Sequence, residues 1–328
     1  MSGAKSTVLV ATTGGHLAQL FELAPRIAGL GDRIWITNET IQSRSLLAGE
    51  NVNFVDAITP GDWRAIARAM PSARKMFASG QWQQVVSTGA ALAIPYLSAA
   101  ASRGVQTHYI ESAARVIGPS RTGQIMRRVP RVRVYSQYTH WAKPPWRYVG
   151  SIFDAYVPVP SARAEPIRRA VVTLGTLGPK YPFRRLLERM VSLLGPGGEL
   201  ERAQGAPIET VWQTGFTNAD GLPISATPMV ESSELECLLR NADLVVSHAG
   251  VGSALGALQA DRCPVLVPRL RSFGENVDDH QAEIARSLGE RGVALFRSVG
   301  DLSVADLLRA ADTKIVRAST LSPVELVS

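Results

Sequence analysis

Ser247-His248-Ala249-Gly250-Val251-Gly252-Ser253 follows the apolar run Leu244–Val246 and precedes a helix-like pattern, Ala254–Ala260, that ends before Pro264. A buried strand, a tight glycine turn and a helix start in that order make an anion site. The first backbone N–H groups of a helix lack intrahelical partners, and the helix dipole favours negative charge there. Gly250 and Gly252 carry no Cβ, so the backbone can come close to a phosphate. The implied guest is the diphosphate of a nucleotide; the alternative is an ordinary turn between strand and helix in a Rossmann-like sheet.

A second motif lies about thirty residues on. Asn276-Val277-Asp278-Asp279-His280-Gln281 follows the strand-like Val265–Val267, Pro268 and a polar loop, and opens a helix running through Arg291. Short polar side chains at a second helix start suit the hydroxyls of a sugar. Together the two motifs resemble the C-terminal half of GT-B glycosyltransferases of the peptidoglycan GlcNAc transferase family (family 28-like), and most closely the catalytic part of the dolichol-linked GlcNAc transferase and its bacterial polysaccharide relatives. In that family a His-Ala-Gly-x-Gly-Ser turn and an Asp-His-Gln segment hold the UDP-sugar donor. The resemblance thus implies donor contacts for Ser247, His248, Ala249, Gly250, Val251, Gly252, Ser253, Asn276, Asp279, His280 and Gln281. One departure stands out: where the family commonly has a ribose-holding Glu in the helix after the turn, this chain has Gly256.

At 328 residues the chain is long enough for two domains with a core each. Its 45% hydrophobic and 19% charged content fits a globular protein rather than a disordered one. The two cysteines, Cys237 and Cys263, show no CxxC or zinc spacing; both lie among apolar residues and are expected to be buried thiols in a reduced compartment. Met1–Ser6 has no long apolar core, which argues against a cleaved signal peptide. Ala90–Ala101, at 12 residues with Pro95 inside, falls short of the roughly 20 needed to span a bilayer and reads as a buried helix.

Charge is uneven. Residues 1–160 hold 17 Lys/Arg against 8 Asp/Glu, and residues 161–328 hold 18 against 20. Within Arg115–Arg133 stand six arginines (115, 121, 127, 128, 131 and 133) and no acid, with Val116, Ile117, Ile125, Met126 and Val129 among them. Such a segment suits an anionic membrane surface and a lipid diphosphate; a solvated arginine-rich helix face is the alternative. Nucleic acid is not implied, since no aromatic stacking platform accompanies the charge.

The chain reads as two successive βα arrays. Strands are expected at Thr7–Ala11, Arg33–Thr37, Gln84–Ser87, Gln106–Ile110 and Val132–Tyr135, with helices such as Trp63–Ala78 and Ala91–Arg103 between them. The proline-rich Tyr156–Pro166 has no period and is the linker candidate, so the expected division is an acceptor domain over residues 1–155, a linker over 156–168 and a donor domain over 169–328. Strands recur at Ala170–Leu174, Ile208–Gln213, Leu244–Val246, Val265–Val267 and Ala294–Phe296. Helices are expected at Phe183–Leu194 and, at the C-terminal end, Val304–Val316. The fold class is α/β, GT-B: two Rossmann-like domains facing across a cleft, with ligands at the carboxyl ends of the strands. Gly175, Thr176, Gln213 and Gly215 fall at such ends and are candidate parts of the donor cradle.

The first strand ends in Thr12-Thr13-Gly14-Gly15-His16, which resembles the Gly-Gly-His motif opening the acceptor domain of the same families. Tyr109-Ile110-Glu111-Ser112-Ala113-Ala114-Arg115 resembles the Glu-Ser-x-x-Arg segment of the membrane-recruiting partner of the dolichol-linked transferase. The resemblance therefore implies a fusion of two parts that many bacteria encode separately. It places Thr13, Gly14, Gly15, Ser112, Arg115, Arg121, Arg127 and Arg128 on the acceptor and membrane side. Sugar transfer to an alcohol needs removal of the hydroxyl proton. His16, at the amino end of the first helix where the dipole favours a neutral imidazole, is one candidate base; Glu111 is the other.

The expectation is an inverting, UDP-sugar-dependent glycosyltransferase. Its acceptor would be a polyprenyl-diphosphate-linked saccharide of exopolysaccharide or capsule synthesis, and its place the cytoplasmic, inner face of the plasma membrane. Glucuronic acid in β-1,4 linkage is the first guess for the sugar, with Arg269 or Arg271 to meet its carboxylate; galactose and GlcNAc are alternatives. No metal and no cofactor are expected: the histidines lack metal-binding spacing, and adjacent Asp278 and Asp279 would diverge on a helix. A UDP-sugar 2-epimerase and a non-catalytic sugar-nucleotide-binding module are the competing readings. NAD chemistry is disfavoured by spacing, because no G-x-G-x-x-G is present.

Overall fold

The computed structural model describes residues 6–59, 61–161, 163–175 and 178–327. The chain divides into two compact units, Met1–Asp154 with Thr320–Ser328, and Ala155–Ser319.

In the first unit β1 (Ser6–Ala11), α1 (Gly15–Leu23), β2 (Arg33–Asn38), α2 (Ile41–Leu46), β3 (Val52–Val55), α3 (Trp63–Met76), β4 (Trp82–Gly89), α4 (Ala93–Ser102), β5 (Gln106–Ile110), α5 (Arg121–Met126), β6 (Val132–Ser136) and β7 (Arg147–Tyr148) follow one another. The strands form one parallel sheet in the order β3-β2-β1-β4-β5-β6-β7. Val8, Leu9, Val10 and Ala11 are all fully buried, as a central parallel strand covered on both faces requires. The apolar stretch around Pro95 is the core helix α4, and its proline falls in the first turn, where the missing N–H costs nothing. No helix among the described residues is long and apolar enough to cross a membrane.

The second unit contains β8 (Tyr156–Pro160), β9 (Arg169–Thr173), α6 (Arg184–Leu194), α7 (Glu199–Gln204), β10 (Glu209–Gln213), β11 (Ala226–Thr227), α8 (Ser232–Asn241), β12 (Leu244–His248), α9 (Val251–Gln259), β13 (Val265–Val267), α10 (His280–Glu290), β14 (Leu295–Phe296), α11 (Val304–Ala311) and β15 (Thr313–Arg317). Its parallel sheet runs β11-β10-β9-β12-β13-β14. In both sheets the order reverses beside the first strand, between β1 and β4 and between β9 and β12. That is the switch point at which an open α/β sheet leaves a crevice.

Three expectations need correction. The presumed linker begins with a strand: β8 pairs antiparallel with β15, with Pro158 opposite Ile315 and Pro160 opposite Thr313. Two prolines at alternate positions turn the same side of the strand outward, so in a two-stranded ribbon they cost no ladder bond. The C-terminal helix stops at Ala311, and the β-branched run from Thr313 to Val316 is β15. Only one of the two thiols is buried. Cys263 is enclosed, whereas Cys237 is exposed on α8, off the stripe through which Leu239 packs.

After β15 the chain returns to the first unit. Val324 is fully buried, pairs in parallel with Ile27 and donates its N–H to the Arg26 carbonyl at 2.8 Å. Arg26 spreads its guanidinium over the Ser151 carbonyl (2.7 Å) and the Ser322 carbonyl (3.2 and 3.3 Å), so one side chain holds the segment leaving the unit and the one re-entering it. Arg26→Ala is expected to release the tail: limited proteolysis should cut near Ser319–Ser322 several times faster than in the wild type. The melting temperature should drop by about 2–4 °C, as loss of ~1 kcal/mol gives in a unit of this size. Unchanged cleavage would show that Val324 alone anchors the tail.

Candidate functional site

The glycine turn lies where its sequence places it, on the end of β12 at the switch point of the second sheet. Gly250 is the N-cap of α9, with no side chain capping the helix and no acid in its first turn. Ala254 makes the first helical bond, to the Gly250 carbonyl at 2.9 Å, so the amides of Val251, Gly252 and Ser253 stand ahead of it at the positive end of the helix dipole. The Gly250 N–H is occupied by the His248 carbonyl (2.8 Å) and shapes the turn instead of facing a ligand. Ser247, fully buried, closes the same turn with its hydroxyl on the His248 carbonyl (2.8 Å), and Ala249 donates to the Val267 carbonyl (3.2 Å).

His248 is packed between two glycines. A Cβ added at either Gly175 or Gly250 would collide with its imidazole, and Gly175 also has φ +74, which glycine adopts without strain. Burial, and after it the positive charge of Arg269, hold the imidazole down to about 3, so His248 is neutral at any physiological pH. The Ser253 hydroxyl stands 3.4 Å from its Nδ1. Its place is thus in the wall of the turn.

The remaining donor-side candidates mostly fix loops. Gln213, buried at the end of β10, bonds the Thr173 hydroxyl and accepts from the Val230 N–H, both at 3.3 Å. Gly215 has φ +60 and gives its N–H to the Pro228 carbonyl (2.8 Å). Gln281 accepts the Arg269 N–H (3.0 Å), Asp279 the Arg271 N–H (2.9 Å), and His280 contacts Asp278. Asn276 is buried with its side-chain oxygen on the Val277 N–H, while its amide nitrogen has no partner. A buried donor left unsatisfied is costly, and a sugar hydroxyl would relieve it. Thr176 lies outside the described residues.

In the first unit His16 sits in the first turn of α1 at the β1/β4 switch point. Its Nδ1 is 2.7 Å from the Thr88 carbonyl, and the Thr88 hydroxyl returns a bond to the His16 carbonyl at the same distance. A carbonyl only accepts, so Nδ1 carries the proton and Nε2 is the basic nitrogen. A Cβ on Gly89 would press on this ring at 3.0 Å, so the glycine makes room for the imidazole. The Gly14 N–H is taken by Gln42 Oε1 (2.6 Å), and Thr13 and Gly15 complete the turn.

Glu111 is fully enclosed. One carboxylate oxygen accepts from the Tyr109 hydroxyl (3.2 Å) and the Ser112 N–H (3.1 Å), the other from the Ser120 N–H (2.9 Å) and hydroxyl (3.0 Å). Burial raises its pKa against the pull of these bonds. It therefore ties together the two ends of the loop from Ser112 to Ser120, and a Cβ on Gly123 of α5 would strike it. Gln19 holds the same loop from α1: its oxygen accepts the Ala113 N–H (2.8 Å) and its nitrogen reaches the Ser112 hydroxyl (3.0 Å). One signal of this tie stands in the sequence, a glutamine among the apolar residues of a helix. Beyond the loop, Arg121, Arg127, Arg128 and Arg131 are exposed, Arg115 is half-buried, and Ile117 is 69% exposed. Among the described residues, no group of three or more His, Cys, Asp or Glu is placed to hold a metal ion.

Residues 205–309 match the glycosyltransferase family 28 C-terminal domain. Over 72 residues, 22% of the chain, the sequence is 42% identical to the UDP-N-acetylglucosamine transferase subunit ALG13 of Cryptococcus neoformans, in two strains; the chain spans 34% of the length of these relatives. Among solved structures, MurG of Acinetobacter baumannii is similar with a TM-score of 0.57 at 19% identity, covering 94% of both chains. The glycosyltransferase SnogD of Streptomyces nogalater gives 0.60 at 17% identity, covering 94% of this chain and 91% of its own. The chain therefore has the GT-B fold of these glycosyltransferases, two Rossmann-like domains, and within it residues 205–309, which bear the glycine turn, are similar to the family 28 C-terminal domain.

Proposed function

We propose that the chain is an inverting glycosyltransferase that moves a sugar from a UDP-sugar to a polyprenyl-diphosphate-linked saccharide at the inner face of the plasma membrane, in exopolysaccharide or capsule synthesis. The observation that carries the reading is the uncapped, acid-free start of α9 on the glycine turn, within the stretch matching the family 28 domain. There the anomeric C–O bond breaks with its electron pair going to the β-phosphate, so the diphosphate, a dianion in the UDP-sugar, leaves with one further negative charge, which the amides of Val251, Gly252 and Ser253 and the helix dipole offset. Asn276, with its unpartnered amide, and the polar helix start at Asp279–Gln281 take the sugar. His16 Nε2 accepts the proton of the attacking hydroxyl while Thr88 holds Nδ1–H. Glu111 is left out of proton transfer because both its oxygens are taken, by the Tyr109 hydroxyl and by Ser112 and Ser120 of the loop it binds.

The domain limits belong to the same proposal, with acceptor functions within residues 1–155 and donor functions within 169–328, two parts joined in one polypeptide. Arg115, Arg121, Arg127, Arg128 and Ile117 form the surface for anionic lipid and the lipid diphosphate. Arg269 cannot read a donor carboxylate, since its guanidinium is spent on the Leu174 and Tyr181 carbonyls. Glucuronic acid as the transferred sugar therefore rests on exposed Arg271.

Calorimetric titration with UDP, UDP-glucuronic acid, UDP-galactose and UDP-GlcNAc, without added metal, should show UDP binding and one preferred sugar. No UDP binding would overturn the donor site. His16→Ala should lower turnover by about 10²–10⁴-fold, the usual worth of a general base, while UDP affinity stays within about twofold; loss of both would move His16 to the donor site. Arg127→Glu with Arg128→Glu should weaken binding to anionic vesicles, more at 0.05 M than at 0.5 M salt on an order-of-magnitude scale, because exposed charges are screened. Unaltered vesicle binding would remove this segment from the membrane surface.

A further inference from the structure

Arg269 is 1% exposed, yet among the described residues no carboxylate lies within ion-pair distance of it. The nearest acid, Glu275, is held by Arg185 through two bonds of 3.1 Å and by the Leu270 N–H. The Arg269 guanidinium instead bonds two backbone carbonyls, Leu174 at 2.7 Å and Tyr181, and lies 5.1 Å from the centre of the Phe183 ring. Its Nε is buried without a partner. A cation taken out of water and paired only with dipoles is expensive to keep.

Its position gives the reason. Arg269 follows β13, while Leu174 follows β9, and β12 is the strand between them. To reach the Leu174 carbonyl the side chain must pass the end of β12, where the glycine turn and the start of α9 stand. Its charge is felt by His248 in that turn. The same side chain spans the two ends of the loop from Leu174 to Tyr181, which includes Gly175.

We propose that Arg269 is the buried counter-charge of the donor diphosphate and the positioning residue that holds Leu174 and Tyr181 beside the glycine turn. The proposal rests on the UDP-sugar reading above. Within the chain the charge meets two carbonyl dipoles, the face of Phe183 and only the distant field of Glu275, whose carboxylate is bound to Arg185; a diphosphate at the start of α9 adds the missing negative charge, so anion binding relieves a cost already present in the fold. No bond to the ligand is required, since a charge in a poorly polarisable interior acts across several ångströms.

The test compares Arg269→Lys and Arg269→Gln with the wild type, using UDP by calorimetry and uridine, which has the base and ribose but no phosphate, by ligand-observed NMR. The Gln protein should lose at least about tenfold in UDP affinity, and the Lys protein no more than about threefold, the charge-assisted part being the larger. Uridine affinity should stay within about twofold in both. Equal losses for UDP and uridine would mean that Arg269 only shapes the loop, and unchanged UDP affinity in the Gln protein would also overturn the proposal. Should the Gln protein fail to fold, salt tests the wild type: UDP affinity that holds within about threefold from 0.05 to 0.5 M NaCl marks a buried charge, and a larger fall marks exposed ones. A wild type that binds no UDP would end the donor reading and this inference together; binding that survives Arg269→Gln would end this inference alone.

Discussion

A parallel strand must be covered on both faces, because the crossover helices that link it to its neighbours lie there. All else in this chain follows from that constraint. With both faces of each sheet sealed, the edge where strands end and helices begin is left for chemistry, and the order reversal beside β1 and β9 opens that edge at one place in each unit. His16 stands at the first opening and the Gly250 turn at the second. The glycines at these points are there because an imidazole or a backbone comes too close for a Cβ, as Gly89, Gly175 and Gly250 each show.

The two histidines of the switch points illustrate how the same side chain is given opposite work. His248 is sealed between glycines beside a buried guanidinium, which removes it from proton traffic. His16 is fixed through one nitrogen by a carbonyl, which leaves the basic nitrogen defined. Burial and a neighbouring charge silence the first; a single hydrogen bond to the backbone orients the second.

Much of this was legible in the sequence. The continuous apolar runs at Val8–Ala11 and Leu244–Val246 announce two-sided burial, and glycine turns after them mark strand ends, so the twin α/β arrays and the glycine turn after β12 could be read directly. The ribbon of β8 and β15 could not, because proline normally argues against a strand and only an unpaired outer edge excuses it. The role of Arg269 was hidden for a different reason. Its neighbours Leu174 and Tyr181 are some ninety residues away, and an arginine on a polar loop gives no local sign of burial. The hold of Glu111 on its loop was equally opaque: nothing in the sequence shows that Ser112 and Ser120 claim both its oxygens.

The return of the tail to the first unit bears on how such a chain can be divided or joined. Val324 fills a place beside Ile27, and the Val327 N–H reaches the Tyr135 hydroxyl, itself 3.0 Å from buried His108. The first unit is thus completed by residues that follow the whole second unit in the chain. A gene cut at the ribbon would yield an amino-terminal product with an empty apolar slot beside Ile27.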